Sequence, residues 1–328
     1  LDRVVLLAEA IASCASRHRA ALLQTFYDPP STAGQQLVRL ARQTPRAIDD
    51  AMLKILRTGK DQGAIRSGIE LAHLAEQICQ SMLHTAVGVL PRDIDARRFP
   101  ELKCRVLLDG LAAQCPENSK LNRSAAFATA DKVIASWKKD GEDGQAALLR
   151  AAAKAEFGRR GYEATTIRDI ASAAGMSTGT VYRLVGSKDE LLMSIMASYI
   201  QHVTMGWDAV MAVESTPVEK LDALLWLDIN ILDRFRDEFM IQLAFVRELP
   251  PPTSSQLGEF TNIPRHMQSL LEAGESTGHF RNIGGSVFLR VHGLIELAWM
   301  SEHIVRNFGT RKALALARDT ILRGAITR

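Results

Sequence analysis

Three hydroxyl residues, Thr166, Ser177 and Ser187, each precede a run of helix-forming residues, and Gly175 and Gly186 lie between them. Few folds accept helices this short and this closely spaced. Before them, Gln145 to Arg160 is rich in Ala, Leu, Lys and Arg, strong helix formers, and Gly161 is placed to end that helix. Thr166 stands three residues before Asp169, where its hydroxyl accepts from an early helix N–H and the acid meets the positive helix start. Ile167, Ile170, Ala171 and Ala174 recur at helical spacing, which gives this helix one buried face. Ser177 opens a third helix, Thr178 to Leu184, closed by Gly186. Ser187-Lys-Asp-Glu190 is a capping box that starts a fourth. Two short helices across a tight turn, braced by a longer one, make a helix-turn-helix.

In such a unit the second helix fits the major groove of DNA. Its leading end carries Ser177, Thr178, Gly179 and Thr180, small residues that permit close approach and whose hydroxyls and N–H groups suit phosphates and base edges. Tyr182 offers a phenol to a phosphate, and Lys188 a point charge. Read separately, the same residues are caps, a half-buried tyrosine and a solvated lysine; their place on one edge of one motif favours DNA. Gly175-Met-Ser-Thr-Gly179 also matches the G-x-S-x-G nucleophile elbow, but that elbow needs a preceding strand, and Arg168 to Ala174 reads as helix. The chain is therefore not expected to be an enzyme.

The run FGRRGYEATTIRDIASAAGMSTGTVYRLVGSKDELL, from Phe157, resembles the DNA-binding domain of the tetracycline-repressor (TetR) family. The resemblance covers about a sixth of the chain with its bracing helix, through G-Y-x-A-T-T, I-x-D-I-A, G-x-S-x-G-T-V-Y and S-K-x-E-L. It departs at Leu184-Val185, where the family usually has an aromatic residue. It implies an all-α, ligand-responsive transcription factor, with recognition residues at Ser177, Thr178, Gly179, Thr180 and Tyr182 and phosphate contacts at Thr165, Thr166 and Lys188. Repression of an operator on double-stranded DNA follows from the resemblance alone.

At 328 residues, 47% hydrophobic and 23% charged, the chain has the composition of a globular protein. A net charge of +3 gives no global basic field, so DNA affinity has to come from a local surface, typically of two copies together. No apolar run is long enough for a membrane span, there is no signal peptide, and Cys14, Cys79, Cys104 and Cys115 have no metal-ligand spacing. A cytoplasmic protein with reduced thiols, no metal and no cofactor is expected. Leu1 opens inside an amphipathic pattern, from which residues before it are expected.

The rest of the chain reads as apolar helices. Leu1–Phe26, Gln35–Arg42, a helix from Pro45 to about Arg57, Ile69–Val87 and Pro100–Ala113 precede a linking helix, Ser124–Lys138, and a polar hinge, Lys139–Gly144. Val218–Leu249, His266–Ala273, Ser286–Val305 and Arg311–Ile326 follow the DNA-binding unit. The flanks look alike: Leu1-Asp2 parallels Leu221-Asp222, Asp28-Pro-Pro parallels Pro250-Pro-Pro, Gly63–Arg66 parallels Gly278–Arg281, and Asp109-Gly110 parallels Arg323-Gly324, at offsets of 214 to 222 residues. The expected organisation is a first regulatory repeat (1–115), a linker (116–143), the DNA-binding domain (144–200) and a second repeat (201–328). Ile69–Val87 with Pro100–Ala113, and Ser286–Val305 with Arg311–Ile326, would supply two pairs of a four-helix interface, an intrachain pseudo-dimer; pairing of two chains is the alternative. A small apolar effector between helices is expected to release DNA, and the candidate lining is Trp207, Trp226, Asn230, Phe239, Phe245, Met267, Leu271, His292 and Trp299. Core packing is the commoner role for such residues. A helical scaffold with a vestigial DNA-binding head is the other function class.

Overall fold

The structure is a computed structural model that describes residues 2–18, 22, 35–87, 98–137, 144–247 and 262–327; for 35–45, 86–87 and 243–247 it describes the backbone alone. The Asp28-Pro-Pro and Pro250-Pro-Pro segments, and residues 139–143 of the polar hinge, lie outside the described residues. The described chain is all-α. Its first part holds α1 (Asp2–Arg17), α2 (Gln35–Asp61), α3 (Leu71–Val87) and α4 (Arg98–Asp109), followed by the short α5 (Asn118–Leu121) and a linking helix α6 (Ala125–Ser136). The helix-turn-helix head is α7 (Gln145–Arg160), α8 (Ile167–Ala173) and α9 (Thr178–Val185). Then come α10 (Lys188–Ala212), α11 (Pro217–Arg234), α12 (Arg236–Arg247), α13 (Asn262–Ser276), α14 (Val287–Ala298), α15 (Glu302–Phe308) and α16 (Thr310–Ala317), which runs into a π-helical turn, Arg318–Leu322. Among the described residues no helix is long and apolar enough to cross a membrane.

Several boundaries differ from the periodicity. One helix, α2, runs through Pro45 where two were expected, although a proline there has no N–H to give the helix. The Val218–Leu249 run breaks at Phe235, whose φ of −118° and ψ of 41° leave the helical region. The Ser286–Val305 run stops at Ala298 and restarts at Glu302. No Gly or Pro marks that break. It is held from outside, by Ser301 donating to the Glu76 carboxylate on α3 and by His303 Nδ1 at 3.0 Å from the same carboxylate. Residue 200 falls inside α10, which continues unbroken from the head into the body. All four cysteines are free thiols; Cys79 and Cys104 are buried.

The two flanks meet in a reciprocal joint. Arg66 N donates to Ala325 O (2.9 Å) and Thr327 N to Ala64 O (3.0 Å); Arg281 N donates to Leu111 O (2.8 Å) and Ala113 N to His279 O (2.9 Å). The second set is the first displaced by 214 to 215 residues with the roles of the flanks exchanged. The same exchange fills the helix ends, which otherwise leave carbonyls unpaired. Leu111 N and Ala112 N donate to Ile321 O and Leu322 O, while Ala325 N and Ile326 N donate to Leu107 O and Leu108 O. At the centre Gly110 (φ 73°) and Gly324 (φ 82°) pass backbone to backbone. A Cβ on Gly110 would lie 2.3 Å from the Arg323 carbonyl carbon, and one on Gly324 would lie 2.3 Å from that of Asp109. Only glycine meets both the left-handed conformation and this approach.

Around the joint α4 packs on α14 and on the π-helical turn, and α3 packs on α4 and α14. Two buried ion pairs differ between the flanks. Arg318 donates from Nε (2.7 Å) and Nη2 (2.8 Å) to the Asp222 carboxylate, with Asn122 Oδ1 taking a further bond at 2.8 Å. Burial pushes the Asp222 carboxyl up, opposed by Arg318. Lys103, fully buried, donates to Ser81 O (2.7 Å), the Thr85 hydroxyl and the Glu296 carboxylate. Burial lowers its ammonium, and Glu296 opposes that shift.

Candidate nucleic-acid interface

The three caps form as the residues dictate. Thr166 Oγ1 accepts from Asp169 N (3.2 Å) and the Asp169 carboxylate accepts from Thr166 N (2.9 Å), a reciprocal capping box. Those bonds, the Thr166 hydroxyl first, hold the Asp169 carboxyl below its ordinary value, and Arg160 at 3.0 Å adds to the effect. Ser177 Oγ accepts from Thr180 N at 3.1 Å and lies 3.0 Å from the Thr180 hydroxyl. Ser187 Oγ accepts from Glu190 N at 3.1 Å, which is the serine half of the expected capping box without the reciprocal bond from Glu190. Gly175 turns between α8 and α9 with φ of 67°. Ile167, Ile170 and Ala171 of α8 and Val181 of α9 are buried in the same core as Leu149, Ala153 and Phe157 of α7, and α8 packs on both α7 and α9.

This leaves the leading end of α9 open. Thr178, Gly179 and Tyr182 are exposed, Tyr182 by 55%, and Thr180 is half-buried. A Cβ on Gly179 would meet only Ser177 Oγ at 3.9 Å, so the protein itself does not demand glycine there. Thr166 is exposed at the start of α8. The basic residues Arg168 and Arg183, which motif reading did not single out, are also exposed on α8 and α9.

Two expected phosphate contacts are placed differently. Thr165 is fully buried, and its hydroxyl donates to Gly161 O (2.8 Å) and Glu156 O (3.2 Å), tying the turn to the end of α7. Its side chain thus serves as a joint in the turn. Lys188 is half-buried: its Nζ donates to Tyr162 O (3.0 Å) and Thr165 O (3.1 Å) and stands 4.0 Å from the centre of the Tyr162 ring. The Tyr162 phenol in turn donates to Asp189, and burial followed by that bond raises its pKa. Lys188 and Asp189 thus clasp the 162–165 turn to the start of α10. Sequence reading met Tyr162 only as part of a motif, because nothing local shows that a residue 27 positions on will bind it.

The candidate ligand residues sort into separate clusters. Trp207 is buried and donates from Nε1 to Asp228 Oδ1 at 3.0 Å. Trp226 faces the linking helix: its Nε1 donates to Asp131 Oδ1 (2.6 Å), its ring stacks on Phe127 (5.7 Å), and Arg311 covers it at 4.3 Å. Asn230 donates back to Trp226 O at 2.7 Å. Phe239 meets Trp299 edge to face at 5.6 Å, and His292 lies against Phe288 at 4.0 Å with its imidazole pKa lowered by burial. Met267 and Leu271 are core residues of α13. The Phe245 side chain lies outside the described residues.

Residues 149–195 match the family model described as "Bacterial regulatory proteins, tetR family". The chain is 26% identical over 185 residues to the HTH-type transcriptional repressor KstR2 of Mycobacterium tuberculosis, a match covering 55% of this chain and 92% of the relative. It is 27% identical over 172 residues to KstR2 of Rhodococcus jostii, covering 52% and 84%. Among solved structures it is similar to the probable transcriptional regulatory protein RHA5900, at 25% identity and a TM-score of 0.48, covering 53% of this chain and 96% of that one. With the motif and the capped helix pair in agreement with that model, residues 149–195 form a DNA-binding domain of the TetR type, and the chain is similar to bacterial transcriptional repressors that carry one.

Proposed function

We propose that the chain is a ligand-responsive repressor that reads operator DNA through α9 and leaves it when a small, largely apolar effector binds the helical body. The observation that carries the reading is the pairing of an open α9 leading end with α10, which joins that head to the body without a break. The reading set is Thr166 with Ser177, Thr178, Gly179, Thr180 and Tyr182. Lys188 acts from behind, by fixing the turn that presents Thr166. A tilt of α10 carries its first turn, and with it the clasped head, out of groove register. The KstR2 relatives are named as repressors, which favours repression over activation.

We further propose that the reciprocal joint is the dimer interface of a TetR regulator built within one chain by duplication. The exchanged hydrogen bonds around Gly110 and Gly324 support this, since a two-fold interface pairs i with j and j with i. With that interface filled internally, it is not available to a second copy. Size-exclusion chromatography with light scattering reports a monomer if this is right; a dimer disrupted by substitutions in α4 and α14 overturns it.

The test of function is fluorescence anisotropy with DNA from the gene's own upstream region, over a salt series, with Tyr182→Ala beside the native chain. Binding that is sequence-selective, falls steeply with salt and weakens about tenfold or more in the variant is expected, because phosphate contacts release counterions. Selective binding unchanged by Tyr182→Ala would remove α9 from the reading.

A further inference from the structure

The cations of the head divide into those with partners and those without. Arg159 and Arg160 pair with Glu156, and Arg160 reaches Asp169 as well. Lys188 serves the carbonyls of Tyr162 and Thr165, and Arg150 and Lys154 have partners of their own. Arg168 on α8 and Arg183 on α9 are exposed and have no hydrogen-bond or ion-pair partner among the described residues.

Their places on the two helices differ. Val181 is the buried residue of α9. At about 100° per residue, Gly179 and Arg183 stand two places either side of Val181, each roughly 160° round the helix from it. They therefore form the line of α9 that faces straight away from the core, whereas Tyr182 stands on its flank, about 100° from Val181. Gly179 puts no side chain on that line, and a helical side chain leans toward the N-terminus of its helix, which sets Arg183 to reach over the turn that holds Gly179. Arg168 lies in the first turn of α8, two residues after the exposed Thr166. The acid beside it, Asp169, is occupied by Thr166 and Arg160 and does not neutralise it.

We infer that the two arginines divide the operator between them: Arg183 reads a guanine in the major groove, and Arg168 holds a backbone phosphate. In a helix-turn-helix the first helix crosses the backbone while the second lies in the groove, which is where α8 and α9 carry these residues. A guanidinium has donors only, in a fork that needs two acceptors side by side, and guanine presents such a pair at O6 and N7. The hydroxyls of Thr178 and Thr180 donate or accept and so choose weakly among bases. Arg183 is thus the side chain of this edge that carries a code, and Arg168 supplies a charge that Lys188, turned inward, does not. The inference rests on the regulator reading above and adds to it the base that is read and the residue that reads it.

The experiment is fluorescence anisotropy of the full chain with DNA from the gene's own upstream region, its guanines replaced one at a time by 7-deazaguanine. That base pairs normally and lacks the N7 acceptor. For the native chain, replacement of one guanine in the site is expected to weaken binding fivefold or more. In Arg183→Gln the same replacement is expected to change affinity less than twofold. Glutamine pairs with adenine instead, so an A·T pair at that place is expected to bind Arg183→Gln more tightly than the original fragment does, a gain that misfolding does not produce. Arg168→Gln is expected to weaken every fragment alike and to make the slope of log affinity against log salt shallower by about 1. Equal costs of 7-deazaguanine in the native chain and Arg183→Gln at every guanine overturn the base reading. A salt slope unchanged in Arg168→Gln overturns the phosphate contact. Either result beside selective binding that Tyr182→Ala weakens leaves the regulator reading standing; absence of selective binding by the native chain sinks that reading and this inference together.

Discussion

Asp228 makes the stability of the chain depend on pH in an unusual direction. It is half-buried, and that burial takes its carboxyl from 3.8 up to about 7 against the opposing effect of the Trp207 indole N–H. Between these values the folded chain holds a proton that the unfolded chain has released. The stability contributed by the neutral carboxyl is then fully present below pH 4 and is lost as pH rises through 7. Each pH unit in that window is worth about 1.4 kcal/mol, so the loss reaches roughly 4 kcal/mol above pH 7. Asp228→Asn keeps an acceptor for Trp207 Nε1 and removes the ionisation. Urea unfolding followed by circular dichroism should find the two proteins within about 1 kcal/mol of each other at pH 4, with the variant gaining steadily to several kcal/mol at pH 8. Other carboxylates, Asp169 among them, shift the opposite way and shape both curves alike, so the difference between the curves isolates Asp228. A difference that stays flat from pH 4 to 8 would refute the reasoning, since it would mean that water or an unseen partner solvates the carboxylate.

Gly179→Ala should leave the melting temperature unchanged or slightly higher, since alanine favours helix by up to about 1 kcal/mol, while operator affinity by anisotropy falls about tenfold or more; an unaffected affinity would show that α9 does not approach DNA closely there. Thr166→Ala should cost about 1 kcal/mol in urea unfolding through loss of the capping box. Arg318→Met leaves Asp222 buried and unpaired and should cost about 3–5 kcal/mol, with Asp222→Asn in the same chain recovering part of it. Gly110→Ala should cost more than about 3 kcal/mol, read by thermal unfolding, because its Cβ has nowhere to go that the Arg323 backbone does not occupy.

The head was legible because its information is local. Thr166, Ser177 and Ser187 bind N–H groups three residues on, and glycines end what they start, so a reader of the sequence has every partner in view. Lys188 and Thr165 were legible as members of the motif and not in their orientation: the carbonyls that Lys188 serves lie 23 to 26 residues before it, and Thr165 turns back onto Gly161 O and Glu156 O. The paired flanks showed through short similarities such as Gly63–Arg66 and Gly278–Arg281, which turned out to mark backbone that crosses between them. What stayed hidden was set by distant partners. The restart at Glu302 follows from Glu76, and the Asp222 charge is matched by Arg318. Aromatic residues at helical spacing pointed to a pocket in the body, where most of those described pack against one another or against the linking helix.

The reciprocal joint also sets a schedule for the chain as it is made. Arg66 reaches its acceptor at Gly324 across 258 residues of sequence. At synthesis rates of about 5–20 residues per second, the segment around Ile65 emerges roughly 13–50 s before the residues that will bond to it exist. For most of that interval the carbonyls of Leu107 and Leu108, and the apolar faces of α3 and α4, have no second flank to meet. The head, complete by about residue 200, folds on local contacts well before the joint can close. A nascent chain of this design therefore carries a finished DNA-reading unit on an unfinished body, and exposes its first flank to chaperones or to the flank of a neighbouring chain for as long as translation lasts.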